Sequence, residues 1–346
     1  MNDIAGIDRT AVHGWLNDHI DGLDDGPDAL TYDLITGGHS NLTYTVTATD
    51  GRRWVLRRPP LGNVLASAHD MSREHRLIEA LQDSGVPVPK LIGLCTDETV
   101  NDAPFYVMEF VEGGVLRNQS TAAEFLTPEQ RYATSRDLIE VLARLHAITP
   151  ASVGLDTLAK TEDYVGRQLR RWSGQFEKSK LRDIPLIGEV HDRLADAIPP
   201  QGDAGIVHGD YRLDNCMIGA DAKVAAVLDW ELCTLGDVRA DVGLLMVYWV
   251  QAGDSTQPLD DAPTLAPGFA TRDELLGWYA DATGRDMAEI DYFTAFSYWR
   301  LACILEGVYS RYKANVMGSE HPDLDAMGDR VIDLAQLAAE RLESHR

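Results

Sequence analysis

The sequence predicts an α+β chain of two lobes joined by a short hinge. Three observations carry this expectation. Strand signals fill residues 31–110, with a period-two alternation on either side of a turn signal and one amphipathic helix set among them. The run Val111-Glu112-Gly113-Gly114 then breaks the pattern. Beyond it the periodicity is mainly helical. The expected division is a first lobe over residues 1–110, an antiparallel sheet with one helix; a hinge over 111–114; and a mainly helical second lobe over 115–346. With 346 residues, 45% hydrophobic and 25% charged, the chain has the composition of an ordinary globular protein with a sizeable core.

Taken in order, a short helix is expected from Thr10 to Ile20, followed by an acidic Gly/Pro loop. Tyr32–Ile35 reads as a strand, Leu42–Ala48 as a second, and Arg53–Arg58 as a third, stopped by Pro59-Pro60. Asp50-Gly51 between the latter two signals a two-residue hairpin loop. Alternation in the third strand puts Val55 and Arg57 on one face and turns Arg58 to the other, toward solvent. Residues 67–82 read as a helix whose stripe is Met71, Glu74, Ile78 and Leu81. Glu74 therefore lies on the apolar face, where a buried carboxylate needs a cationic partner. Val86–Leu94 and Phe105–Phe110 complete about five strands.

In the second part, Thr127-Pro128-Glu129-Gln130 gives an N-cap, a proline at the first helical position and a capping-box glutamine. That helix runs to about Ile148 and buries Leu138, Val141, Leu142 and Leu145. Helices follow over 161–179 and 186–198, then strand, loop, strand, turn and strand over 206–231, and only helices from Ala240 onward.

A net charge of −24 argues against non-specific binding of nucleic acid or an anionic membrane, and would suit solubility or a cationic substrate. The four cysteines, Cys95, Cys216, Cys233 and Cys303, form no C-x-x-C pair and no zinc-ligand spacing, which points to a reducing compartment. The amino terminus has no basic region followed by an apolar run, and the longest apolar run, Val242–Val250, is too short to span a bilayer. A cytoplasmic location is expected.

The chemistry concentrates in I-V-H-G-D-Y-R-L-D-N-C-M-I and V-A-A-V-L-D-W-E, residues 206–231. His208-Gly209-Asp210 followed by Asn215 fits H-x-D-x-x-x-x-N. These are the residue types that a metal-dependent phosphoryl transfer needs: a carboxylate to orient an attacking hydroxyl, and an amide and a second carboxylate to hold Mg²⁺ on the phosphates of ATP. Asp210 takes the first role, Asn215 and Asp229 the second, with Glu231 either a second metal ligand or a turn cap. Arg212 adds a cation beside Asp210. The plainer alternative for Asp210 is a turn residue, which leaves Asn215 and Asp229 unexplained.

With H-G-D-Y-R-L-D-N at 208–215, V-L-D-W-E at 227–231 and G-D-V-R-A-D at 236–241, the sequence resembles the aminoglycoside phosphotransferase family. It looks closest to the branch near choline kinases and the kinase-like domains attached to acyl-CoA dehydrogenases. The resemblance runs from about Leu30 to Ala339. It implies a two-lobed protein-kinase-like fold with an ATP site between the lobes. The loop Thr36-Gly37-Gly38-His39-Ser40-Asn41 is similar to the family's phosphate-covering turn, which implicates Gly37, Gly38, Ser40 and Asn41. W-V-L-R at 54–57 aligns with the strand that normally ends in lysine, so Arg57 replaces it, paired to Glu74. The segment 107–111 resembles the hinge that contacts adenine, through the backbone of Glu109 and Val111. Arg239 and Asp241 are expected to pair as scaffold beneath the loop, and His146 to be a satisfied core histidine.

The acceptor is expected to be a small molecule with a hydroxyl group, aminoglycoside-like, choline-like or hydroxyacyl. Between Lys160 and Arg182 seven cations (Lys160, Arg167, Arg170, Arg171, Lys178, Lys180, Arg182) face three acids, which reads either as a solvated face or as a site for an anionic acceptor. Tyr164, Trp172, Trp249, Trp278, Tyr279, Tyr298 and Trp299 fit core positions or a pocket lining. Two other readings compete: a nucleotide-binding pseudokinase or scaffold, suggested by Arg57, and a metal hydrolase using His208, Asp210 and Asp229, which lacks a second histidine-rich cluster. No A-P-E-like segment follows Asp229, which disfavours a protein acceptor.

Overall fold

The computed structural model describes residues 4–23, 26–35, 41–62, 70–254, 261–314 and 323–344. They divide into two compact units, the first comprising residues 1–113 and 225–231, the second 114–224 and 232–346.

The first unit opens with α1 (Arg9–His19), capped by the Asp8 carboxylate, which accepts from the Thr10 and Ala11 N–H groups. Strands β1 (Thr31–Leu34), β2 (Leu42–Thr47) and β3 (Arg53–Arg58) follow, then α2 (Met71–Leu81), β4 (Leu91–Cys95), the single turn α3 (Glu98–Asn101) and β5 (Phe105–Glu109). The five strands form one antiparallel sheet in the order β1-β2-β3-β5-β4. One face of that sheet packs Tyr44, Val46, Trp54, Leu56, Phe105 and Val107 against Val12 and Leu16 of α1. Helix α2 packs on β4 and β5 and buries Met71, Glu74, Ile78 and Leu81, the stripe its spacing predicts.

Three local expectations need correction here. The β2–β3 loop has three residues, not two: the Ala48 N–H bonds the Arg52 carbonyl and the Gly51 N–H the Ala48 carbonyl, both at 3.0 Å. Gly51 has φ +87° whereas Asp50 does not reach positive φ, so the loop is a type I turn closed by a glycine bulge. Strand β4 starts at Leu91, because Pro87 and Pro89 have no N–H to give a ladder. Arg58 is not solvated. It is 4% exposed and donates to the Gly6 and Asn101 carbonyls, because the amino-terminal segment and the end of α3 cover the face it points to.

The second unit begins with α4 (Gln119–Phe125) and α5 (Pro128–Ala147), the latter with the capping box between Thr127 and Gln130 and with Leu138, Val141, Leu142 and Leu145 fully buried. Then come α6 (Tyr164–Ser179), α7 (Pro185–Asp196), β6 (Ala204–Val207), β7 (Cys216–Ile218) and β8 (Val224–Val227), at which the chain passes into the first unit until Glu231. On its return it forms β9 (Thr234–Asp237), then α8 (Arg239–Tyr248), α9 (Arg272–Thr283), α10 (Ile290–Lys313) and α11 (Leu324–Ser344). Strand β9 pairs antiparallel with β6, from Ala204 opposite Asp237 to Val207 opposite Thr234. This strand is absent from the sequence expectation, since four residues containing a glycine carry little β signal of their own.

Helix α10 is the centre of this unit and packs against α6, α8 and α11. Tyr164, Trp172, Tyr298 and Trp299 belong to its core, and Trp249 and Tyr279 are likewise buried. Where α8 crosses α10, a Cβ on Gly243 would stand 2.5 Å from the Phe293 carbonyl carbon. Backbone is met there, so the neighbour cannot rotate away. Gly243→Ala is expected to lower unfolding stability by about 2–3 kcal/mol, read from urea denaturation with an unchanged m value.

Candidate functional site

In the second unit, β6 delivers the chain into the loop His208–Asn215. The turn demands glycine at 209: φ is +85°, and a Cβ there would lie 2.6 Å from the Leu232 carbonyl oxygen. The loop hangs on one buried carboxylate. Asp241, 1% exposed in the first turn of α8, accepts from the His208 N–H at 2.6 Å and from the Gly209 N–H at 2.8 Å. It also bonds His146 Nε2 at 3.2 Å, and His146 Nδ1 lies 2.7 Å from the Tyr279 hydroxyl. Arg300, 4% exposed, donates to the Gly209 carbonyl.

Burial opposes ionisation of Asp241, but His146, His208 and the Gly209 N–H outweigh it, so its pKa is lowered. Burial pushes the His146 pKa down, against the pull of Asp241. The pair is therefore a carboxylate and a neutral imidazole. Nε2–H donates to Asp241, and Nδ1 accepts from Tyr279. This is the satisfied core histidine expected from the sequence. The expected Arg239–Asp241 pair does not form. Arg239 grips Asp237 bidentately at 3.0 and 2.6 Å, because Asp241 faces inward toward the loop.

Within the loop, Asn215 donates from Nδ2 to the Asp210 carbonyl and to Asp210 Oδ2, both at 2.8 Å. Arg212 Nε lies 3.4 Å from the same Oδ2. Oδ1 of Asp210 is left facing neither group, and the side chain is 23% exposed. Arg212 is itself fixed by Asp214 at 2.9 Å and by the face of Tyr248, 4.6 Å from the guanidinium carbon. Burial works against its charge, yet Tyr248, Asp210 and Asp214 together raise its pKa. Asp214 and Tyr248 were not singled out by sequence reasoning. Asp214 lay inside the quoted motif, whereas nothing in the sequence ties Tyr248, on α8, to Arg212.

In the first unit, the Arg57 guanidinium bridges two carboxylates. Nε donates to Glu74 Oε2 at 3.1 Å and NH2 to Asp229 Oδ1 at 2.8 Å. Glu74 is 3% exposed, and burial raises its pKa while Arg57 opposes. Burial acts against the Arg57 charge, but Glu74, Tyr106, Asp229 and Glu231 prevail and raise its pKa. Tyr106 on β5, also missed from sequence, bonds Glu74 as well. Asp229 adopts φ +62°, a left-handed conformation that aspartate tolerates better than most residues. Arg73 NH1 donates to the Glu231 carbonyl at 3.3 Å and the Val227 N–H to the Pro87 carbonyl at 2.8 Å, which tie this segment to the rest of the unit.

Glu109 ends β5 with its N–H bonded to the Lys90 carbonyl at 2.8 Å; Val111 lies two residues on, half-buried. Asn41 is 8% exposed at the start of β2, while Gly37, Gly38 and Ser40 fall outside the described residues. Among the described residues no group of three or more His, Cys, Asp or Glu forms a metal cage. A site made of one carboxylate, one amide oxygen and phosphate oxygens requires none. Each unit taken by itself keeps a hard oxygen suited to such a cation: in the second unit Asn215, with Nδ2 turned to Asp210, keeps its Oδ1, and in the first unit Asp229 keeps Oδ2. The basic stretch on and around α6 is mostly partnered. Arg170 pairs with Asp163 at 2.6 Å, Lys180 with Glu177 at 2.8 Å and Arg182 with Glu306 at 2.5 Å, while Arg167 donates to the Lys160 carbonyl. The Arg170–Asp163 pair is exposed on both sides, whereas Arg182 reaches a fully buried Glu306. No helix among the described residues is long and apolar enough to cross a membrane.

A sequence profile of the phosphotransferase enzyme family matches residues 31–289. Acyl-CoA dehydrogenase family member 10 of Mus musculus is 37% identical over 280 residues, 79% of this chain and 26% of that protein. The chain spans between about a quarter and two fifths of the length of such curated relatives. A solved chain from Ralstonia eutropha JMP134, provisionally described as an aminoglycoside phosphotransferase, superposes with TM-score 0.79 at 31% identity, covering 96% of this chain and 98% of that one. Choline kinase from Cryptosporidium parvum superposes with TM-score 0.66 at 15% identity, over 96% of both chains, a likeness of fold.

Two outcomes follow from the site. Arg57→Met leaves Glu74 buried without its cation and is expected to cost about 3 kcal/mol, and Arg57→Met with Glu74→Met to recover most of it, read by urea unfolding. His146 is neutral when folded but takes a proton near pH 6.5 when unfolded, so the unfolded chain binds more protons as pH drops below about 6.5. The stability it contributes is present above that value and declines on acidification. His146→Gln is expected to flatten the loss of urea stability between pH 7 and pH 5 relative to wild type.

Proposed function

The chain belongs to the phosphotransferase enzyme family, and on that premise we propose that it moves the γ-phosphoryl group of ATP, with Mg²⁺, to a hydroxyl of a small molecule. Aminoglycoside-like, choline-like and hydroxyacyl compounds are the acceptor classes to screen. One observation carries the reading: Asp210 Oδ2 is pinned by Asn215 at 2.8 Å with Arg212 at 3.4 Å, which leaves Oδ1 to accept the acceptor's hydroxyl proton. Pinning one oxygen fixes the rotation of the carboxylate, so the base is aimed before the acceptor arrives. Arg212 keeps positive charge beside Asp210, its Nε 3.4 Å from Oδ2. Asn215 through Oδ1 and Asp229 through Oδ2 would hold Mg²⁺, which supplies charge neutralisation on the transferring phosphoryl group. Arg57, with its fork geometry, and the 37–41 loop would hold the phosphates. The Glu109 carbonyl and the Val111 backbone would meet the base of the nucleotide.

A second reading, a nucleotide-binding scaffold without turnover, is favoured by the Arg57 grip on Asp229 at 2.8 Å, which occupies one of the two oxygens a metal would use. Calorimetry of Mg·ATP on wild type and Asp229→Ala tests the metal–nucleotide site that both readings share: binding that weakens at least 10-fold in the variant supports that site, and well-folded wild type that binds no nucleotide sinks both. Turnover separates them, since the scaffold transfers no phosphoryl group to any acceptor. In an acceptor screen, Asp210→Asn is expected to lower kcat on the order of 10³-fold with the ATP KM little changed.

A further inference from the structure

Arg57 holds two carboxylates that differ in what release would cost. Glu74 is 3% exposed at its side chain, so parting it from Arg57 strands a charge away from water. Asp229 is 30% exposed, so it can be released into solvent. The two contacts are therefore unequal, and Asp229 is the one that yields. A divalent cation approaching Asp229 meets the guanidinium already on Oδ1 at 2.8 Å, and two cations on one carboxylate repel. Glu74 keeps hold of Nε when Asp229 is released, but NH2 then loses its carboxylate and needs another anion to receive it. A nucleotide phosphate is such an anion, and its geometry suits the guanidinium fork.

We propose that Arg57 is a placeholder for the metal at Asp229: guanidinium and divalent cation compete for the same carboxylate, so the chain takes its metal together with a nucleotide and not before it. This rests on the reading of Asp229 as a metal ligand. It goes beyond that reading by making the arginine that replaces the family's lysine a determinant of binding order. Charge balance supports it. Glu74, Asp229 and Glu231 all act on Arg57, and Arg73 reaches Glu231 only at its main-chain carbonyl among the contacts described, so removing the Arg57 guanidinium leaves a more acidic cluster with a stronger pull on a free divalent ion.

The test is Mn²⁺ binding to the nucleotide-free protein, with free Mn²⁺ read by electron paramagnetic resonance. Because Arg57→Met alone strands Glu74, the comparison is Glu74→Gln against Glu74→Gln with Arg57→Met. Loss of the guanidinium is expected to tighten Mn²⁺ binding about 10-fold. Arg57→Lys in the otherwise unchanged chain gives a second comparison, with a smaller gain because one ammonium replaces the fork. Affinities equal within about 2-fold in both comparisons overturn the placeholder. Adding Asp229→Asn to the double variant is expected to abolish the gain. If Mn²⁺ binding survives that change undiminished, the assignment of the metal to Asp229 falls and the placeholder with it. If Asp229→Asn removes binding while the arginine variants do nothing, only the placeholder falls.

Discussion

The loop His208–Asn215 depends on one ionised carboxylate that water does not reach. Asp241 is 1% exposed and accepts from two consecutive backbone N–H groups, those of His208 and Gly209, and from His146. Burying a charge is unfavourable unless it is hydrogen-bonded on its open sides. Here each bond that satisfies Asp241 also dictates the path of the loop. The two N–H groups point to one residue only because Gly209 takes φ +85°, a conformation that side chains resist. Shape and charge are thus one constraint. Asp210 follows directly after this bend, so its aim is inherited from Asp241, and Asn215 then fixes its rotation.

The first unit repeats the logic with the opposite sign. There a cation, Arg57, is enclosed, and carboxylates satisfy it. The use of arginine matters because a planar fork can serve Glu74 through Nε and Asp229 through NH2 at once. Tyr106 supports the Glu74 side of the arrangement. In the second unit the buried charge sets the path of the loop that carries Asp210; in the first, buried Glu74 holds the guanidinium of Arg57 in place. The solvent-facing charges of α6 pair among themselves or with nearby acids and leave the site undisturbed.

Features set by local sequence were legible, and those set by distant chain were not. Arg53–Arg58 is a strand over the residues expected, because alternation and two flanking breakers define it. The cap at Thr127 and the burial of Glu74 on an apolar stripe are similarly local. The His208–Asn215 spacing brings Asn215 onto Asp210, since both lie in one loop. Arg58 was misread because alternation says which face a side chain takes and nothing about what covers that face; residues near Gly6 and Asn101 do. Arg239 was given the wrong partner for a related reason. Asp237 and Asp241 stand equally near it in sequence, and only the packing of α8 against the loop turns one of them inward. Tyr248 reaches Arg212 across 36 residues, and no periodicity encodes that contact.

The arrangement of the chain also explains why Asp229 is the looser partner of Arg57. Glu74 lies 17 residues from Arg57, on a helix packed against the same sheet, and the two can meet while the sheet forms. Asp229 lies 172 residues away and joins only as part of a seven-residue return, residues 225–231. Closing the longer loop costs about 2 kcal/mol more by the logarithmic rule. That return is anchored at Val227 by the Pro87 carbonyl and at Glu231 by Arg73, on either side of Asp229. The carboxylate between the anchors is therefore held in place by its backbone and need not rely on Arg57 to stay there. A residue positioned by its main chain can exchange the partner of its side chain without the fold giving way, which is the property a metal ligand shared with an arginine requires.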